Sequence, residues 1–430
     1  MKFNSESFVI TDTGKILRLF LMVGVAGLLL SLVGIIFNPS AFFHSYLTSV
    51  IFWTSIGLGA LFMVMLHYLV NAVWSVVIRR VLENILITLP VMGLLFIPVL
   101  FGIPYLYSWN DNYESPSHSE NHAISIVSDA YAEETVIEDD SEHEDVGTHT
   151  DPHKELLEKK KAFLNTPFFI IRTIIYFLIW SLIAVRIYKN SLKQDRDGAS
   201  DANDGAGLRI SAPGMILFAL TVSFAGFDWM MSLDPLWYST IYGVYFFSGC
   251  IVSVMAFVSV FSTWLRGKNI LADIISEEHY HTIGKLLFGF VIFWAYMAFS
   301  QYLLIWYANI PEETIWYHHR WVGGWKFISV LIAVAHFTIP FIFLMPKNMK
   351  RNPKILSFWA IWILVMHWVD LYWNIQPNLY PDGAGFSWMD VTSMIGIGSI
   401  FLYFFWKNLS KNPILTLKDR KLGKSVNYVN

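Results

Sequence analysis

Long apolar runs alternate with short polar gaps along the chain, and each run is about as long as a membrane is thick. A helix of about 20 apolar residues crosses the ~30 Å hydrocarbon core, so ten such runs predict ten membrane-spanning helices. The runs are Leu17–Phe37, Val50–Val70, Leu82–Ile103, Phe168–Tyr188, Gly214–Ser232, Tyr238–Leu265, Leu286–Ile310, Phe327–Met345, Ile355–Trp373 and Val391–Phe405. Gaps as short as Leu233–Trp237 are typical of antiparallel neighbours, so the predicted fold is an all-α integral membrane bundle.

The distribution of Lys and Arg among the gaps predicts which side of the membrane each gap faces. Cations are concentrated in the N-terminal segment, in the gaps after the even-numbered runs and in the C-terminal tail. The gaps after runs one, five and nine hold none, and the gap after run seven holds only Arg320 and Lys326. Because Lys and Arg are enriched on the cytoplasmic side, both termini are predicted to be cytoplasmic.

This topology divides the chain into four parts. Residues 1–103 form the cytoplasmic N-terminus and three spans, residues 166–409 form seven more spans, and residues 410–430 form a basic cytoplasmic tail. In residues 104–165, 15 Asp and Glu outnumber four Lys, and such a composition does not support a core of its own. We predict a partly disordered periplasmic loop, which carries His118, His122, His143, His149 and His153. The loop is either a metal-binding or cytochrome-docking segment or only a solvated spacer.

The overall composition excludes several classes of protein. Charged residues make up only 15% of the chain, whereas soluble domains carry about 25%. The single cysteine, Cys250, leaves this chain without a c-type haem attachment motif, an iron–sulfur site or a structural zinc site. No run carries two histidines, which disfavours a four-helix cytochrome b. Nucleotide-binding and hydrolase motifs are missing from the sequence, and nothing in it predicts a nucleic-acid partner.

Polar side chains inside the runs are the candidates for chemistry. A charged group near the bilayer centre costs about 2.5–3.5 kcal/mol, so it needs a partner or a function. The candidates are His67, Arg172, Asp228, Gln301, His336, His367, Asp370, Asn374 and, at the start of run ten, Asp390. The topology places most of them in the outer half of the membrane, with His336 near the middle and His67 nearer the inside. Asp228 is predicted either to transfer protons or to pair with Arg172.

Run nine carries three of these residues on one helical face. His367, Asp370 and Asn374 are separated by three, four and seven positions, which brings them to the same side of a helix. A histidine and a carboxylate so placed can hydrogen-bond a quinone-type carbonyl or hydroxyl and take its proton. They can equally relay protons, or form a structural polar seam between helices.

Two stretches resemble signature sequences of the NrfD-like membrane subunits of alternative complex III, a quinol:cytochrome c oxidoreductase. The first is DWMMSLDPLWYST, which runs from Asp228 to Thr240, and the second runs from Phe293 to Glu313. The stretch LNTPFFIIR, which ends at Arg172, is similar too. The resemblance covers roughly residues 50–405, and within the family it is strongest to the ActF-like quinone-binding subunits.

This resemblance implies two four-helix bundles plus flanking helices in a bacterial inner membrane. The implied partners are a homologous ActC-like membrane subunit, a multihaem cytochrome c, an iron–sulfur protein, and small cytochrome and anchor subunits. The haems and iron–sulfur clusters belong to those partners. The implied ligand of the membrane subunits is a quinol such as menaquinol.

Resemblance and residues together predict a membrane subunit of a quinol-oxidising complex in respiratory or photosynthetic electron transport. An outer cluster of Asp228, Arg172, His367, Asp370, Asn374, Asp390 and Gln301 is expected to bind a quinol head group or pass protons outward. His336 and His67 are expected to extend a proton relay inward. Two alternatives stay open: a purely structural scaffold subunit, and a secondary transporter that uses the same carboxylates for ion coupling.

Overall fold

The chain folds into a helical membrane protein, as a computed structural model of it shows. The structure describes residues 8, 10, 13–114, 152–198 and 201–429, and all regular secondary structure in these residues is helical. Ten helices are long and apolar enough to cross a membrane, which confirms the predicted all-α, ten-span fold. Four of the loop histidines, His118, His122, His143 and His149, lie outside the described residues, as does the side chain of His153.

The spans are numbered one to ten in chain order. They are Gly14–Phe37, Pro39–Leu69, Val76–Phe101, Thr166–Asp197, Gly205–Leu233, Tyr242–Gly267, Glu277–Ala308, Trp325–Leu344, Pro353–Asn378 and Trp388–Leu409. Short helices that do not span lie at Ile103–Leu106, Pro152–Lys160, Pro311–His319, Lys347–Arg351 and Leu422–Val426. Span three is divided into Val76–Leu86 and Leu89–Phe101, and span eight contains a π-helical segment, Ile332–Thr338.

Most spans extend beyond the apolar runs that predict them. Span two begins at Pro39 rather than Val50, because the Asn38 side chain accepts a hydrogen bond from the amide of Ala41 at 2.9 Å and Pro39 occupies the first turn. Span four has 32 residues and is therefore about 48 Å long at 1.5 Å per residue. That length exceeds the ~30 Å hydrocarbon core, so span four continues into the head-group layer.

Two bundles of four helices make up most of the protein. Spans two to five form the first bundle and spans six to nine the second, and spans two and six pack against each other between them. These two spans are the most enclosed, with 83% and 78% of their most apolar stretches buried, against 22% for span one. Span ten packs on span two, and span one packs on span ten at the periphery.

Small residues hold span one against span ten. The only fully buried residues of span one are Gly24, Gly27, Ser31 and Gly34. A Cβ on Gly27 would lie 2.8 Å from the Cα of Gly396, so the two backbones touch. The Ser31 hydroxyl donates to Thr392 Oγ1 at 2.8 Å. Close backbone approach and interhelical hydrogen bonds are how membrane helices associate where lipid is as apolar as the side chains.

Both ends of the chain lie at the same end of the bundles. The amide of Ile414 donates to the carbonyl of Phe8 at 2.9 Å, which joins the N-terminal segment to the C-terminal tail. The tail is held by an ion pair of 2.6 Å between Asp419 and Arg79, and by Lys421, which donates to Asn71. We call this end of the molecule the inner end; its cytoplasmic orientation stays a prediction.

The crossing of spans one and ten can be tested with matched glycine substitutions. Gly27→Val should lower the melting temperature by several degrees, because a side chain at this position forces the two helices apart. Gly289→Val is the control, since a Cβ on Gly289 meets nothing within 4 Å. Thermal unfolding in mild detergent measures both. Equal melting temperatures for the two variants would contradict the proposed contact.

Candidate functional site

The polar residues of the predicted outer cluster do not form one cluster. Asp228 and Arg172 lie together in the first bundle, between spans four and five. Asp370 and Asn374 lie in the second bundle, and Asp390 lies at the outer end of span ten. The three carboxylates share no hydrogen-bond partner. The three carboxylates therefore have different surroundings, and the binding role expected of these residues stays a prediction.

The site in the first bundle is a closed ion pair. Arg172 donates from Nε and Nη2 to the two oxygens of Asp228 at 2.8 and 2.9 Å, and the Tyr176 hydroxyl donates to the same carboxylate at 2.7 Å. Asp228 is fully buried. The guanidinium lies 3.9 Å from the ring centre of Phe163 and 4.2 Å from that of Phe168. Bidentate pairing with aromatic cover leaves this carboxylate no room for a ligand.

Asp390 has a structural role at the start of span ten. Its carboxylate accepts the amide of Ser387 at 2.8 Å and forms a capping box with that residue. The Ser45 hydroxyl donates to it at 2.6 Å, and the Gln376 amide donates at 3.2 Å. These bonds tie span ten to spans two and nine. They give the carboxylate a structural role at this position, and its predicted part in quinol binding or proton transfer stays a prediction.

The three residues of span nine all face the interior, as their spacing predicts. His367 Nε2 lies 3.0 Å from the Ser55 hydroxyl of span two, and its Nδ1 has no partner among the described residues. Asn374 accepts from Tyr242 at 2.9 Å and donates to the Tyr245 hydroxyl at 3.0 Å. Span nine thus meets spans two and six along one polar seam.

Asp370 differs from Asp228 because it has no cation. It accepts hydrogen bonds from the hydroxyl of Tyr245 and, at 3.2 Å, from Nε1 of Trp294. The side chain is 3% exposed, and no described Lys, Arg or His lies within ion-pair distance. Neutral donors stabilise a buried carboxylate less than a guanidinium does, so Asp370 lacks the charge compensation that Arg172 gives Asp228.

A cavity of about 950 Å³ opens beside Asp370, between spans seven, eight and nine. This volume lies in the range of sites for small organic ligands, about 300–1,000 Å³. Asp370 and Tyr245 form part of its wall in the protein interior, and Tyr317 and Arg320 form part of its wall at the outer end. The remaining wall is mainly aromatic and includes Trp294, Tyr296, Phe299, Tyr302, Trp306, Trp321, Phe337 and Trp373.

Arg320 is a buried cation in this wall that sequence reasoning did not single out. It is 2% exposed and donates to the carbonyls of Trp316 and Asn374, each at 2.9 Å. The bond to Asn374 gives a partner to a carbonyl in the last turn of span nine. Its guanidinium stacks over Trp316 with 3.3 Å to the ring centre. Burial lowers the pKa of Arg320 to about 10, so it is charged at neutral pH. The sequence signal for Arg320 was an isolated Arg among tryptophans in the gap after run seven, which holds few cations.

Gln301 lies in the same cavity wall. Its Oε1 accepts from the hydroxyl of Ser239 at 3.1 Å, and its Nε2 donates to the hydroxyl of Tyr317 at 3.2 Å. The cavity therefore offers a carboxylate, an amide, phenol hydroxyls and a guanidinium within a mostly aromatic enclosure. Such a combination suits a flat apolar ring that carries a few polar substituents.

His336 lies behind the cavity wall, in the π-helical segment of span eight. Its ring is fully buried and stacks on Trp294 with 3.9 Å between ring centres. Neither ring nitrogen has a partner among the described residues. Trp294 thus contacts His336 with its face and Asp370 with its N–H. π-Helical turns inside α-helices are frequent at functional sites.

His67 lies at the inner end of span two, apart from these groups. Its Nδ1 lies 2.7 Å from the Ser75 hydroxyl, and Arg79 Nη1 lies 3.3 Å from its Nε2. No hydrogen bond joins His67 to His336 directly among the described residues, and the relay expected of them stays a prediction. In the same part of the chain, no group of three His, Cys, Asp or Glu side chains is placed to hold a metal ion.

Comparisons with known proteins leave the family open. A scan against protein-family models gives no match, and a search of curated proteins gives none. The resemblance therefore rests on the quoted stretches. The first of them ends span five and forms the turn that follows, and the second contributes Trp294 and Gln301 to the cavity.

The ion pair of the first bundle should be essential for stability. Arg172→Met should destabilise the protein by about 3–5 kcal/mol, because it leaves a buried carboxylate uncompensated. The double variant Arg172→Met with Asp228→Leu should recover most of that loss, since no charge remains. Thermal unfolding in detergent compares the two. A double variant no more stable than the single one would argue against a purely structural pair.

Proposed function

We propose that this chain is an integral membrane subunit of a quinol:electron-acceptor oxidoreductase of the alternative complex III type, and that the cavity between spans seven, eight and nine receives a quinol head group. The observation that carries the proposal is Asp370, a buried carboxylate without a counter-cation, in the wall of a largely aromatic cavity. The quoted resemblance to NrfD-like subunits supports the same conclusion independently.

The residues of the cavity suit the chemistry of a quinol. Its ring would stack among the aromatic side chains, and one hydroxyl would donate to Asp370 while Arg320 or Gln301 donates to the oxygen at the opposite end. Oxidation of a quinol to a quinone releases two protons and two electrons. Asp370 would accept one proton at a time as general base, and Tyr245 and Trp294 hold its two oxygens in place.

Electrons would leave to redox centres on partner subunits. As the resemblance implies, these are a multihaem cytochrome c and an iron–sulfur protein, beside an ActC-like membrane subunit and small cytochrome and anchor subunits. The chain would occupy the ActF-like position in a bacterial inner membrane. The exposed aromatic face of span seven, with Tyr296, Phe299 and Tyr307, suits lipid or a neighbouring membrane helix at the cavity mouth.

The first bundle does not offer an equivalent site. Asp228 already accepts hydrogen bonds from Arg172 and Tyr176, which occupy both of its oxygens. Quinol binding and proton uptake are accordingly proposed for the second bundle alone. The first bundle would serve mainly as a support, which agrees with part of the scaffold alternative.

A secondary transporter is the less favoured alternative. It calls for discontinuous helices in matching positions of two repeats. The two spans that are irregular in their interior do not match: span three, the second helix of its bundle, is divided near Ile87, whereas span eight, the third helix of its bundle, has the π-helical segment.

Asp370→Asn tests the proposal directly. It should lower quinol-dependent cytochrome reduction at least tenfold, because an amide cannot accept the quinol proton. Asp273→Asn is the matched control, since Asp273 is exposed in the inner gap between spans six and seven. Both variants are purified in mild detergent and checked for the same subunit content before turnover is measured. Unchanged turnover in an intact Asp370→Asn assembly would leave only the scaffold role.

Purification of the unaltered protein comes before these variants. Copurification of c-type haem, an iron–sulfur protein and quinol-dependent activity would support membership of such a complex. A colourless lone chain that catalyses ion or solute flux would instead favour the transporter. This comparison does not depend on any single residue.

A further inference from the structure

One face of span four changes from apolar to cationic along its length. Exposed apolar side chains recur every three or four residues in its outer and middle parts, and exposed cations continue the same stripe at its inner end. The apolar members are Ile171, Ile175, Leu178 and Leu182, and the cationic members are Arg186, Lys189, Lys193 and Arg196. Residues at this spacing lie on one side of a helix, so the stripe is a continuous surface.

The depth of this stripe matches the layers of a bilayer. Span four is longer than the hydrocarbon core, so the apolar members lie beside acyl chains and the residues from Lys189 onward lie at head-group level. Lysine and arginine near helix ends ordinarily extend towards lipid phosphates. The stripe alone would thus be an ordinary membrane-facing surface.

The C-terminal tail forms a groove with the inner end of this surface. A cavity of about 840 Å³ lies between the inner end of span four and the tail. Pro413 and Leu417 form its apolar wall, and Lys418 adds a cation from the tail side. The ammonium group of Lys418 donates to the carbonyl of Arg196 at 2.6 Å, which fixes the tail against the span.

The charges in this groove favour an anion. Lys189, Lys193, Arg196 and Lys418 line it, against one carboxylate, Asp195, which already accepts from Arg80. No ion pair to Lys189 or Lys193 occurs within the part of the chain that the structure describes. The cavity at the inner end of the second bundle differs, because its Arg351 is paired with Glu278.

We propose that this groove is a binding site for an anionic phospholipid, with the phosphate among Lys189, Lys193 and Lys418 and one acyl chain along Leu178 and Leu182. An acyl chain needs the apolar half of the stripe and a phosphate needs the cationic half, so a lipid uses both. The bound lipid would also join the tail to span four. This site is separate from the cavity at Asp370 and does not depend on the proposed function.

The test is native mass spectrometry of the full chain, with any subunits that copurify, in mild detergent. Dioleoylphosphatidylglycerol is titrated against dioleoylphosphatidylcholine, and inorganic phosphate is added as a competitor. The unaltered protein should retain the anionic lipid in preference to the zwitterionic one. The triple variant Lys189→Gln, Lys193→Gln, Lys418→Gln should bind it at least tenfold more weakly.

Two further variants make the result specific. Lys268→Gln, Lys285→Gln, Lys347→Gln removes the same charge from exposed inner positions of the second bundle and should bind the lipid normally. Lys189→Arg with Lys193→Arg keeps the charge and should also bind normally. Equal weakening by both neutralising triples, or no weakening by either, would overturn the proposal. Competition by millimolar phosphate would mean a free-anion site and would overturn it as well.

Discussion

Every charged side chain that this protein places at membrane depth must find its counter-charge or hydrogen-bond donors within the protein, because lipid tails supply neither. Asp228 meets this constraint with a guanidinium. Arg79 and Arg80, at the inner end of span three, meet it with Glu83, Asp195 and Asp419. The arrangement of the first bundle and the position of the C-terminal tail both follow from these pairs.

Asp370 has hydrogen-bond donors but no counter-charge, and in this respect the second bundle differs from the first. The first bundle pairs its carboxylate with a guanidinium and a phenol, whereas the second surrounds its carboxylate with a phenol and an indole. A carboxylate held only by neutral donors leaves no buried cation unpaired when it takes up a proton. Within one architecture, the first bundle can therefore hold Asp228 rigidly while the second leaves Asp370 able to react.

The spans could be predicted from the sequence, because a run of about 20 apolar residues rarely forms anything other than a membrane-spanning helix. It also indicated that His367, Asp370 and Asn374 share a face. It did not separate Asp370 from Asp228, since the distinction depends on contacts with spans four and six. The capping role of Asp390 could have been predicted, because Ser387 three residues earlier forms a recognisable capping box with it. The π-helical turn around His336 has no sequence signal of this kind.

The contact between spans one and ten has a consequence for biosynthesis. Span one leaves the ribosome well before span ten, because the hydrogen bond between Ser31 and Thr392 joins residues 361 positions apart. At a synthesis rate of ~5–20 residues per second, span ten follows span one after roughly 20–70 s. During that time its glycine-lined face is open to lipid or to other helices. A protein factor that shields small-residue faces during membrane insertion would bind this face of span one.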